Sequence, residues 1–75
     1  MTAKLVQMRR FYLDRKVDKT GTSGTGKVAE GVMFACGKVA MTWLSHLGCV
    51  TMYDNIHVVE TLHGHDGSTV VEWVD

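Results

Sequence analysis

The chain's possible chemistry lies in a glycine-rich stretch, two tryptophans and four histidines. The stretch reads Gly21-Thr22-Ser23-Gly24-Thr25-Gly26-Lys27-Val28 and satisfies G-x-x-x-x-G-K-[ST] everywhere except at its last place. A phosphate-binding P-loop leaves a buried strand and enters a helix whose N-terminus faces the phosphates. Here the preceding "DRKVDKT" is polar, and the following "VAEGVMF" contains Gly31 and reads as strand. Val28 stands where a hydroxyl should hold magnesium, and no acidic residue closes an apolar run as a second metal ligand. A P-loop domain also needs about twice this length. The nucleotide-hydrolase reading is therefore set aside. What remains is a run of exposed backbone amides, which in such turns form concave anion sites. Ser23, Gly24, Thr25 and Gly26 either close on a polar ligand or form a plain flexible connection.

The histidines sort by helical geometry. In "DNIHVVETLHG", at about 100° per residue, Ile56, Val58, Val59 and Leu62 share an apolar arc. His63 falls inside that arc, whereas His57, Glu60 and Thr61 lie opposite. His63 should point into the protein and His57 into solvent. His63-Gly64-His65 has a spacing that some metal sites use, but zinc needs three or four ligands. The others would have to come from Cys36, Cys49, Glu30 or Asp66, none at a diagnostic spacing, so no metal and no cofactor is assigned. No nucleophile motif accompanies the histidines, which points to a protein that binds rather than catalyses. His63 reads equally well as a core histidine and as a ligand contact.

The elements that must position these residues are short. "MRRFYLDRK" from Met8 reads as a first strand and "VDKTGTSGTG" as a loop. "KVAEGVMFA" and "VAMTWL" form a hairpin around "CGK", with Gly37 free to take positive φ. Val28, Val32 and Phe34 would share one face. Glu30 would then sit uncomfortably on that face unless a bulge at Gly31 or a position at the barrel mouth releases it. "CVTMY" is a fourth strand. Asp54 or Asn55 can cap the helix, Gly64 can end it, and "TVVEWV" closes the chain. The order β-β-β-β-α-β predicts a mainly β fold, either a small five-stranded SH3-like barrel or a curved antiparallel sheet with one short helix before the last strand.

Seventy-five residues make one domain, with residues 1–7 as a loose extension. So small a core usually needs help from disulfides, metal or oligomerisation. Two cysteines are too few for a disulfide scaffold, which favours a homo-oligomer. Eight basic and eight acidic residues balance to zero, and this argues against nucleic acid as partner. No run is long enough to span a membrane and "MTAKLVQM" has no signal-like core, so a cytoplasmic protein is expected.

Taken together, "SGTGKVAEGVMFACGKVAMTWL" and "YDNIHVVETLHGHDGSTVVEWVD" resemble a group of small bacterial and phage proteins. The group's pattern runs V-S-G-T-G-x-V-A-x-G-V-x-F-x-D-G-x-V-x-x-R-W, then S-I-x-D-V-x-x-I-H-G-H-x-G-x-T-x-x-x-W. The likeness covers roughly residues 8 to 75, with Ser23 to Gly26, Trp43, His63, His65 and Trp73 among its matches. Thr22, Cys36 and Thr42 depart from it, where the group has Val, Asp and Arg. The resemblance implies a small β-rich domain encoded by phage or mobile genomes, acting in the host cytoplasm, and carries over no activity.

Two functions fit these residues. In the first, Ser23, Gly24, Thr25, Gly26, Trp43, His63, His65 and Trp73 line a site that sequesters a small polar ligand. A nucleotide signal of host anti-phage defence would suit it, the aromatic ring stacking a base and the amides holding phosphate. In the second, the chain inhibits a host defence complex by protein binding, as anti-CRISPR proteins do. That would use Arg9, Arg10, Tyr12 and Arg15 or a free sheet edge.

Overall fold

The computed structural model describes residues 5–17, 25–45, 49–64 and 67–75. Five strands and one helix follow in the expected order. They are β1 (Arg9–Arg15), β2 (Gly26–Met33), β3 (Val39–Trp43), β4 (Val50–Tyr53), α1 (Ile56–His63) and β5 (Thr69–Trp73). The strands form one antiparallel sheet in the order β4-β3-β2-β1-β5. Of the two expected architectures, the open sheet is the one found. β4 and β5 occupy opposite edges and do not pair, and α1 touches both of them across one face instead.

That face holds the core. Phe11 and Leu13 of β1, Ala29 of β2, Val39 and Met41 of β3, and Val59 of α1 are all buried. They follow from the period of two, since alternate strand residues point to opposite faces. Trp43, Tyr53, Ile56, Val71 and Trp73 pack around them, partly buried. The other face carries no helix among the described residues.

The register corrects the expected pattern of β2. Leu13 pairs with Ala29, but Asp14 pairs with Lys27, which leaves Val28 as an extra residue. The bulge is therefore at Val28, not at Gly31, which pairs regularly with Phe11 and Met41. Past the bulge, Ala29, Gly31 and Met33 share the core face, while Glu30 and Val32 turn away. Glu30 lies between Tyr12 and Thr42 on the open face and is exposed, so it costs no desolvation. Gly31 is required by close approach. A Cβ there would stand 2.5 Å from Phe11 Cζ and 2.7 Å from the Ala40 carbonyl oxygen.

The turns behave as their residues predict. Gly37 takes φ +92° between β2 and β3, its N–H donating to the Phe34 carbonyl at 2.8 Å. Asn55 caps α1, its side-chain oxygen accepting from the Val58 N–H at 3.1 Å. At the other end the Gly64 N–H donates to the Glu60 carbonyl at 2.8 Å. One placement on the helix differs from expectation, because Leu62 is 58% exposed. Ile56 and His63 lie about 60° and 40° to one side of Val59, whereas Leu62 lies about 60° to the other. The helix leans toward Ile56 and His63, so Leu62 rolls out of the contact.

Candidate functional site

The strand directions bring several sequence elements to one end of the sheet. β1 and β3 end there, and β2, β4 and β5 begin there. Arg15, the last residue of β1, pairs with Gly26 on one side and with Thr69 on the other. Beyond it, the N–H groups of Lys16 and Val17 both donate to the Ser68 carbonyl, at 2.6 and 3.2 Å. The glycine-rich connection and the "HGHDG" connection thus start from the same strand end. Their nominated residues Ser23, Gly24 and His65 lie outside the described residues.

A cleft of about 450 Å³ opens at this rim. Arg15, Thr25, Lys27, Val28, Trp43, Leu44 and Ser45 line it. The Val28 bulge helps to shape this end. Its carbonyl accepts from the Leu44 N–H at 2.9 Å, so β3 stays bound to β2 past Trp43. Trp43 and Arg15 belong to the same face by strict alternation, Trp43 from Val39 and Met41, Arg15 from Phe11 and Leu13. A cation and an indole therefore line the same cleft at the rim, with the hydroxyls of Thr25 and Ser45. Lys27 contributes its stem, while its ammonium rests 4.9 Å from the centre of the Tyr12 ring and 3.8 Å from Glu72. Its side chain is half exposed, and at 3.8 Å its contact with Glu72 is weak.

His63 supports the cleft from behind. Its ring lies 5.0 Å from Trp43, nearly perpendicular, and 6.0 Å from Tyr53. The Tyr53 hydroxyl is 3.2 Å from His63 Nε2. The pair fixes the indole from the helix side, as the placement of His63 on the apolar arc anticipated. His57 is exposed, also as anticipated. His63 does not line the cleft.

Trp73 is not brought to this site. It lies on β5 opposite Phe11, whereas Trp43 lies on β3 opposite Ala29. Three strand spacings separate them, roughly 14 Å across the sheet. Trp73 packs its ring at 5.6 Å against Phe11, and the Arg9 guanidinium sits 3.9 Å above it. That is a packing role at the opposite end. Thr25 stands on the cleft wall, and Gly26 is adjacent with φ +95°. Sequence reasoning missed Lys27 and Ser45 and placed Arg15 on the protein-binding surface of the alternative reading instead of at this cleft. Arg15 was legible, because a period of two from Phe11 puts a charge on the core face, which only the rim tolerates. Thr42, on the opposite face from Trp43, donates its hydroxyl to the Cys49 carbonyl at 2.7 Å and takes no part in the cleft.

The basic first strand is compensated internally. Arg10 Nη2 meets Asp75 Oδ1 at 2.7 Å, and its Nε meets Oδ2 at 2.9 Å. Hydrogen bonding from the Arg10 side chain, then from its backbone N–H, holds the Asp75 carboxyl down at about 2. β1 is also interior to the sheet. Among the described residues no group of three His, Cys, Asp or Glu side chains is placed to hold a metal ion.

A family model described as Acb5 phage protein matches residues 8–75. The chain belongs to the Acb5 phage protein family. The match spans every strand and the helix, and therefore the whole cleft of this Acb5-family chain. No curated protein and no solved structure matches it. No helix among the described residues is long and apolar enough to cross a membrane.

Proposed function

We propose that this Acb5-family protein is a non-enzymatic binder that sequesters a small anionic ligand bearing an aromatic ring, of the nucleotide class. In an infected cell such a ligand would be a nucleotide signal of host anti-phage defence. The observation that carries the reading is the rim cleft, a space of about 450 Å³ lined by Trp43, Arg15, Thr25 and Ser45. That size lies within the ordinary range for small-molecule sites. An indole offers a face for a base, a guanidinium pairs with phosphate oxygens, and hydroxyls fix orientation. The membership in a phage protein family supports the setting.

A thermal-shift screen against cyclic dinucleotides, cyclic ADP-ribose isomers and inorganic phosphate tests the proposal. A ligand at a hundredfold excess over its dissociation constant stabilises by about 2.7 kcal/mol, roughly 10–20 °C for so small a domain. The expected result is such a shift with at least one cyclic nucleotide, recovery of that ligand intact after heating, and loss of the shift in Arg15→Gln. No shift with any cyclic nucleotide in a folded sample overturns the reading, as does conversion of the ligand to product. The alternative, inhibition through the basic first strand, finds less support because Arg9 and Arg10 are engaged by Trp73 and Asp75.

A further inference from the structure

The two edges of the sheet differ in a way that bears on partners. The β5 edge carries Glu72 within the strand, a charge of the kind that discourages strand addition. The β4 edge carries nothing of the sort. From Cys49 to Tyr53 the chain is Cys-Val-Thr-Met-Tyr, with no charge, no proline and, in its pairing with β3, no bulge. Its apolar side chains stand in water, Val50 at 64% and Met52 at 59% exposure.

The open face is divided in the same sense. Over β1 and β5 it carries Arg10, Tyr12, Asp14 and Glu72, with Val70 as the apolar exception. Over β2, β3 and β4 one ladder row runs Val32, Ala40, Met52, and it stops at the β4 edge with Met52 exposed. The apolar row is cut off where the sheet ends.

We infer that β4 pairs antiparallel with β4 of a second copy of this chain, making one sheet of ten strands about a two-fold axis. A strand is its own complement in this arrangement, since a two-fold presents the same backbone groups from both sides. An axis through Thr51 sets each Met52 opposite the partner's Val50. The row Val32, Ala40, Met52 then ends against the second copy's Val50, so the exposed Met52 and Val50 cover each other at the joint, and no like charges face each other there. An interface of one strand pair and its flanking side chains buries on the order of 1,000 Å² in total, the low end for a specific complex. The inference stands independently of the ligand reading, because Val50 and Met52 do not line the rim cleft.

Sedimentation velocity across a dilution series tests it, with Val50→Glu and Met52→Lys as variants. Both sites are exposed, and far-UV circular dichroism and melting curves check that each variant is folded. The expected wild-type mass is twice the 8.3 kDa of the chain at high concentration. Each variant alone should be monomeric. A mixture of the two should recover a dimer, because the introduced lysine of one chain then faces the introduced glutamate of the other. A wild-type monomer throughout overturns the inference. So do variants that dimerise as well as wild type, or a mixture that stays monomeric.

Discussion

Replacing Gly31 by alanine should destabilise the protein although it adds only one carbon. The added Cβ would meet Phe11 Cζ at 2.5 Å, Phe11 Cε1 at 2.8 Å and the Ala40 carbonyl oxygen at 2.7 Å. Carbon atoms prefer roughly 3.5–4.0 Å, so the Phe11 ring would have to move by about 1 Å. It has little room, since it is 1% exposed and braced edge-to-face against Trp73. The Ala40 carbonyl belongs to a paired strand and yields even less. Overpacking of this kind costs about 1–3 kcal/mol, offset by roughly 0.5–1 kcal/mol from lost glycine flexibility in the unfolded chain. A net loss near 1–2 kcal/mol lowers Tm by about 5–15 °C in a domain of this size. Thermal denaturation followed by circular dichroism reads it directly. Adding Phe11→Leu should recover part of the loss, because the smaller side chain clears the new Cβ. A Gly31→Ala variant that melts within about 2 °C of wild type would refute the close-approach argument and the register behind it.

Asn55→Ala removes the cap of α1 and should cost about 1 kcal/mol in urea denaturation; an unchanged midpoint would mean the first turn is held by other contacts. Tyr53→Phe removes the hydroxyl beside His63 and should cost about 0.5–1.5 kcal/mol, with a changed His63 ring signal in NMR; an unmoved signal would contradict the contact. Asp75 has its folded pKa depressed to about 2 from an ordinary 3.8. Its contribution to stability is therefore complete above about pH 4 and fades as pH falls toward 2. Asp75→Asn should flatten that part of the Tm-against-pH curve, and an unaltered acid limb would discount the Arg10–Asp75 pair.

Element types were legible because local chemistry agrees with the fold. Asn55 and Gly64 bracket the helix, Gly37 makes the hairpin turn, and the alternation of Val39, Met41 and Trp43 marks a strand with one buried face. The Val28 bulge was not legible. Its cause is pairing with β1, and single-strand parity carries no record of a partner's register. That one extra residue inverted the expected faces of β2 and created the apparent problem of Glu30. The site was half legible for the same reason. Trp43 and Thr25 were nominated from residue type and stand in the cleft. Trp73 was nominated on the same ground and lies three strands away, because strand order in space cannot be read from strand order in sequence. Arg15 was grouped with Arg9, Arg10 and Tyr12 as a basic strand surface, because proximity in sequence hides that alternation turns Arg15 to the face opposite Arg10 and Tyr12.

The two tryptophans provide the most direct test of the central claim, that the rim cleft is where this Acb5-family protein holds a nucleotide. Their indole N–H resonances can be followed by two-dimensional NMR while a cyclic dinucleotide, or whichever cyclic nucleotide shifts the melting curve, is titrated in. The Trp43 signal is expected to move saturably while the Trp73 signal stays. Movement of Trp73 alone, or saturable binding that moves neither indole, would contradict it.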